Sequence, residues 1–175
     1  MIDIELREES AAERAAIHAL TQRAFEGRPY ADGDEGDVID RLRNAGALLL
    51  SLVAVDADTS RIVGQVTFSP ATNEGGGDWC ALGPVAVEPE LQGTGIGGRL
   101  IEAGLSRMRA SGRAGCILTG DPNYYRRFGF EVSGDHAPAA EPAEYFQLLV
   151  FGSARPTGRF AFHPAFYGDP GSSTA

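Results

Sequence analysis

The chain contains no lysine: all 15 basic residues are arginine, set against 24 acidic ones for a net charge of −9. Nowhere do the arginines form a basic run. The electrostatic footprint that nucleic acid or an anionic membrane surface selects is therefore missing, and neither is expected as a partner. Cysteine is scarce too. Cys80 and Cys116 form no CxxC, so neither a disulfide scaffold nor a thiolate metal site is read. The longest nearly apolar run, Ala45 to Val55, is too short to cross a bilayer. The N-terminal MIDIELREES has neither a basic flank nor an apolar h-region, so no signal peptide is read and a cytoplasmic location is expected. His18, His136 and His163 show no ligand spacing. The acidic run Asp32 to Asp37 fails as a calcium loop, because Asp37 stands at the glycine position and Arg43 at the bidentate glutamate. No metal is expected.

What is present is a globular composition. Hydrophobic residues make up 43% and charged residues 22% of 175, which excludes a disordered or coiled-coil chain. A chain of this length buries roughly 70% of its extended surface and needs no staple. One domain over residues 1–168 is expected, followed by a polar, flexible tail at 169–175.

Periodicity gives an alternation of strands and helices. Ile2 to Leu6 reads as a strand. Ser10 and Glu13 fit a capping box that opens a helix running to Phe25 with Ile17, Leu20 and Ala24 on one face. A second helix covers Glu35 to Asn44. Ala47 to Val55 and Ile62 to Phe68 form a hairpin. Ala81 to Val87 is a strand with Pro84 inside it, so it should bulge or part from a neighbour there. Gly95 to Ser111 is helical and Gly115 to Thr119 a strand. Asp121 caps a short helix that has Pro122 in its first turn. Strands at Tyr145 to Phe151 and Gly158 to Phe162 complete the chain. Phe160, Phe162, Phe166 and Tyr167 read as a core cluster.

Chemistry concentrates where the third apolar strand ends, at Val85-Ala86-Val87, and Gln92-Gly93-Thr94-Gly95-Ile96-Gly97-Gly98 leads into a helix. Closely spaced glycines let backbone N–H groups converge without a Cβ in the way. The helix N-terminus adds partial positive charge, and the pair suits a pyrophosphate. Two ligand classes fit. Gly93 to Gly98 matches G-x-G-x-x-G, with Asp121 at the distance of a ribose ligand, which is the dinucleotide reading. Against it, Glu88 to Gln92 separate strand from turn, about half the chain precedes the motif, and Asp121 looks like a cap.

The other class is coenzyme A, and it rests on a resemblance. Gln92-x-x-Gly95-x-Gly97 is similar to the Q/R-x-x-G-x-G/A motif of the GNAT superfamily of N-acetyltransferases, and Tyr125-Arg126-Arg127-Phe128-Gly129-Phe130 resembles its Tyr-x-x-x-Gly-Phe element. The stretches Leu82 to Val87 and Gly120 to Phe130 resemble the YhbS-like branch of that superfamily. The resemblance implies an α/β (α+β) GNAT fold: a mixed, mostly antiparallel sheet, helices on both faces, and two neighbouring strands that splay apart. It further implies acetyl-CoA as cosubstrate. Its pantetheine would pair with the backbone of Val85 to Val87, Ala86 included in that stretch, and its pyrophosphate would lie on the N–H groups of Gly93, Thr94, Gly95, Ile96, Gly97 and Gly98, with Gln92 opening the turn.

The implied reaction is acetyl transfer to a primary amine of a small molecule, with Tyr125 protonating the departing thiolate. A phenol of ordinary pKa, about 10, carries the proton at neutral pH and serves as general acid. Two departures stand out. The position of the glutamate base found in some members is Ala81, which leaves water, Asp78 or Glu88 for that role, or no base at all if the acceptor amine has a low pKa. The asparagine that often precedes the tyrosine is Leu118. A CoA-binding regulatory protein with little catalysis is the rival from another class, and the dinucleotide enzyme a third. The resemblance leaves the acceptor unnamed and allows a monomer or a homodimer.

Overall fold

The computed structural model describes residues 2–29 and 31–168; the expected tail at 169–175 lies outside the described residues. Strands β1 (Ile4–Glu8), β2 (Leu50–Asp56), β3 (Ile62–Asn73), β4 (Trp79–Val87), β5 (Gly115–Thr119), β6 (Glu131–Val132), β7 (Phe146–Val150) and β8 (Phe160–Phe162) are joined by helices α1 (Arg14–Phe25), α2 (Glu35–Asn44), α3 (Ile96–Ala110) and α4 (Pro122–Tyr125). The strand order is β1-β2-β3-β4-β5-β7-β6, with β8 paired to β3. β4 and β5 run parallel, whereas β1–β2, β2–β3, β3–β8, β5–β7 and β6–β7 are antiparallel. This is the mixed, mostly antiparallel sheet expected. No helix among the described residues is long and apolar enough to cross a membrane.

By contacts the chain divides into two compact units, one of residues 1–68, 83–104 and 164–175, the other of residues 69–82 and 105–163. In the first, α1 begins after a tight turn at Ala11–Glu13. Glu13 accepts the Ser10 N–H at 2.7 Å and takes two bonds from Arg7 at 2.9 and 2.6 Å. Two guanidinium bonds hold the Glu13 carboxyl well below the usual carboxylate range, at about 2. The apolar stripe of α1, Ile17, Leu20 and Ala24, buries with Ile39 of α2 against Val53, Val55, Ile62 and Ala86. Each of the buried Ile, Leu and Val side chains contributes about 1.5–3 kcal/mol.

The other strand face meets α3. A Cβ on Gly64 would lie 3.0 Å from both Ile96 and Leu100, and one on Gly104 would lie 2.1 Å from the Phe68 ring, so two glycines set how closely α3 sits on β3. With helices over both faces, the polar side chains that alternate along β3 are enclosed as well. Gln65 and Thr67 are fully buried and hydrogen-bonded to each other.

The second unit is built on aromatics. Trp79 and Phe160 meet edge-on at 4.9 Å, and Phe146 packs on Phe160 at 5.8 Å and on Phe162 at 6.3 Å. The single aromatic cluster read from the sequence is thus divided. Phe160 and Phe162 are buried here, whereas Phe166 belongs to the first unit and packs with Val38 and Leu42 of α2. Tyr167 is 54% exposed. The cause is Arg41, whose guanidinium donates to the carbonyls of Ala165 at 2.7 Å and Phe166 at 3.2 Å and ties that segment to α2.

Other differences are of length. β1 begins later than Ile2, and β3 continues through Pro70 to pair Ala71–Asn73 with β8. β6, two residues long, is too short to leave a periodic signal.

Candidate active site

The register of β4 with β5 covers Trp79–Ala81 against Gly115–Ile117 and ends there, although β4 runs on to Val87. The Gly83–Pro84 peptide, just beyond that register, is cis. Val85 and Val87 are half-buried and Ala86 is buried, so two strand residues retain access on one side. The Val87 carbonyl accepts Gln92 Nε2 at 3.1 Å.

After β4 the chain turns through Pro89–Leu91 into the glycine-rich segment. Gly93 and Gly95 adopt φ of +81° and +93°, a left-handed backbone that an L side chain resists, and a Cβ at either would meet nothing within 4 Å. Both point into open space. Thr94 Oγ1 bonds the Leu91 carbonyl at 2.6 Å and closes the turn. Helix α3 starts at Ile96, and the first N–H of this region with a protein acceptor is that of Arg99, to Gly95 at 3.1 Å. The N–H groups of residues 93–98 have no protein acceptor among the described residues. Unpaired donors converging at a helix N-terminus form a ready anion site.

The turn is fixed from behind by Glu88, 1% exposed, whose N–H bonds the Val63 carbonyl at 2.9 Å. Its Oε1 is shared by Arg23 at 2.5 Å and Arg61 at 3.0 Å. Glu88 was one of the groups open to a base role. In the structure its carboxylate is engaged by two guanidiniums and anchors the turn. Hydrogen bonding to Glu88 raises the Arg23 pKa further. Asp78 is exposed and stays open to that role, while Ala81 is wholly enclosed.

Tyr125 lies in the second unit at the end of α4. Asp121 caps that helix, accepting the Asn123 N–H at 2.9 Å, so it acts as the cap expected. The Tyr125 ring rests on Gly120, where a Cβ would come within 2.7 Å of Cε2. It also meets Tyr124 at 4.9 Å, Phe130 at 6.1 Å and Phe128 at 6.3 Å. Tyr124 is distinguished from it by Arg127, whose guanidinium stacks 4.4 Å over the Tyr124 ring. Leu118, at the expected asparagine position, is directly opposite Gln147 on β7. Gln147 is fully buried and donates to the Gly120 carbonyl at 2.9 Å, while its Oε1 has no partner. No motif marks Gln147; only strand pairing reveals it.

Cys80 and Cys116 face each other across the β4–β5 pair, free and buried, and burial pushes the Cys116 thiol up. His18, without any ligand spacing in the sequence, is brought to 2.9 Å from Asp40 and 3.8 Å from Asp37. Arg43 already bonds Asp40 at 3.0 Å.

Comparison with known proteins decides the family. The acetyltransferase (GNAT) domain family matches residues 49–132. The uncharacterized N-acetyltransferase YhbS of Escherichia coli K12 is 35% identical over 132 residues, 75% of each chain. The chain belongs to the GNAT family of N-acetyltransferases. A second GNAT relative, the uncharacterized N-acetyltransferase YjhQ of the same strain, is 34% identical over 70% of this chain and 72% of its own. Among solved structures, a GNAT acetyltransferase of Brucella melitensis in complex with acetyl-CoA matches with a TM-score of 0.83 at 41% identity, covering 95% of this chain and 99% of its own. YhbS of E. coli in complex with CoA matches with a TM-score of 0.85 at 30% identity over 95% and 93%. The fold agrees with that of these two solved relatives.

Proposed function

We propose that this protein transfers the acetyl group of acetyl-CoA to a primary amine of a small molecule, with residues 1–168 acting as one catalytic domain. The observation that carries the proposal is the run of unpaired N–H donors from residue 93 to residue 98 at the start of α3. That arc suits the pyrophosphate of the coenzyme that the Brucella and E. coli relatives hold. Acetyl-CoA supplies a thioester carbonyl activated toward nitrogen. The backbone of Val85 and Val87 orients the pantetheine arm as an added strand would. The neutral amine attacks the carbonyl carbon, a C–N bond forms and the C–S bond breaks. Tyr125 gives its phenolic proton to the departing sulfur, and the proton shed by the amine returns the phenolate to phenol through solvent.

The test begins with calorimetric titration by acetyl-CoA, CoA and NAD. Saturable binding of the first two without NAD binding is expected, and NAD binding alone would restore the dinucleotide reading. Tyr125→Phe should then lower kcat on a panel of amines by about 10²-fold with acetyl-CoA affinity unchanged. An unchanged kcat refutes the assignment of the acid. The second reading, a CoA-binding regulator, draws on Ala81, where a side-chain base is missing; it is distinguished by binding without product on any amine. A reducing cytoplasm suits the two free thiols facing each other in the sheet.

A further inference from the structure

Arg28 lies in the loop between α1 and α2, far in sequence from the glycine-rich turn. Its Nη2 nevertheless donates to Gln92 Oε1. The Gln92 amide cannot rotate freely, because its Nε2 is held by the Val87 carbonyl. The oxygen is therefore aimed at Arg28, and the guanidinium is parked where the turn begins. Like Arg99, which bonds the Ile4 carbonyl, and unlike five other arginines, it has no carboxylate partner among the described residues. Arg7 has Glu13, Arg23 has Glu88, Arg41 has Asp34, Arg43 has Glu9 and Asp40, and Arg61 has Glu88 and Glu90. The Arg28 side chain bonds only a neutral amide and no carboxylate among the described residues. In a chain with 24 acidic residues, a cation without its own anion beside a row of unpaired N–H donors points to an anion from outside.

We infer that Arg28 is a side-chain ligand of the coenzyme's pyrophosphate, delivered by the α1–α2 loop; this rests on the acetyl-CoA reading above. One of its five N–H donors faces Gln92, and the others are available to fork onto phosphate oxygens. The same loop walls an open cavity of about 520 Å³ lined by Gln22, Phe25, Glu26, Gly27, Arg28 and Gly33, among others. Engagement of Arg28 by phosphate thus fixes one wall of that cavity.

The test compares wild type, Arg28→Ala and Arg28→Lys with two acetyl donors, acetyl-CoA and S-acetylpantetheine, which carries no pyrophosphate. Arg28→Ala should raise the Kd for acetyl-CoA roughly tenfold, and Arg28→Lys by less. The salt dependence of acetyl-CoA binding should become shallower. The loss of kcat/KM with S-acetylpantetheine should be much smaller than the loss with acetyl-CoA. A folded Arg28→Ala that binds acetyl-CoA as tightly as wild type overturns the inference, as does an equal loss with both donors, which would make Arg28 a prop for the loop. If wild type binds no CoA species, the acetyl-CoA reading falls and takes this inference with it.

Discussion

Glu88→Gln tests how the glycine-rich turn is held. The carboxylate is 1% exposed and places one oxygen between Arg23 at 2.5 Å and Arg61 at 3.0 Å. Removing one partner of a buried pair typically costs about 3–5 kcal/mol, because the charge left behind stays desolvated. Here the groups left behind are arginines whose side chains are 47% and 54% exposed, so both recover water once freed. Glutamine also keeps an oxygen for one of them. These two factors bring the expected loss to about 1–2 kcal/mol for Glu88→Gln, with a loss near 3 kcal/mol for Glu88→Ala, which keeps no acceptor for either guanidinium.

Urea denaturation at neutral pH reads the loss directly as a shift in midpoint. Because the turn precedes residues 93–98, the same variants should bind acetyl-CoA several-fold more weakly, while retaining turnover at saturating donor. In an Arg23→Ala, Arg61→Ala background the effect of Glu88→Gln should shrink, since the charges that it abandons are gone. A Glu88→Gln protein within 0.3 kcal/mol of wild type would show that the ion cluster contributes nothing net. A fall in kcat out of proportion to the change in affinity would instead return Glu88 to the role of base.

Gly104→Ala should cost about 1–2 kcal/mol by urea titration. Overpacking a Cβ at 2.1 Å from Phe68 outweighs the gain of about 1 kcal/mol in helix propensity, and a stabilised variant would show that α3 shifts freely. Gly120→Ala should lower kcat with little change in acetyl-CoA affinity, because the Tyr125 ring would have to leave the position where it lies against Gly120; an unchanged kcat would mean that this seat is irrelevant to turnover. The Glu13 carboxyl, held at about 2 by the Arg7 hydrogen bonds, lies below its ordinary value of 4.5. A depressed pKa stabilises the fold above pH 4.5 and loses that contribution as the pH falls toward 2. Arg7→Ala should therefore cost about 1 kcal/mol at pH 7 and flatten the decline between pH 4.5 and 2, and an unaltered acid profile would contradict the pairing.

The parts of this site that were legible in the sequence are those whose chemistry lies in contiguous residues. The stretch from Gln92 to Gly98 shapes its own backbone, since the positive φ of Gly93 and Gly95 is a property of each residue alone. Asp121 and Pro122 likewise announce a helix start within two positions. Strand edges were less legible. The alternation of β3 ordinarily marks one wet face, yet α1 and α3 cover both, and Gln65 and Thr67 are enclosed without any change in pattern. Glu88 reads as an acidic residue near a turn; only the fold brings Arg23 and Arg61 to it. His18, Asp37 and Asp40 meet because α1 packs on α2, which spacing along the chain does not encode.

A division of labour follows from the same contrast. Each motif lies in contiguous residues, and residues distant in sequence hold it in place. Gln92 is oriented by Val87 and Arg28, and the turn around it is anchored through Glu88 to α1 and to the β2–β3 hairpin. Tyr125 is seated on Gly120, whose carbonyl is held by Gln147 from β7. The departure at Leu118 fits this arrangement: a buried amide stands directly opposite it on the neighbouring strand, with one oxygen still unpartnered. A side chain exchanged across a strand pair leaves the polar group on the same face of the sheet, because partners in register share a face. Leu118 and Gln147 thus share one face of the sheet, and it is Gln147 that fixes the Gly120 carbonyl beneath Tyr125.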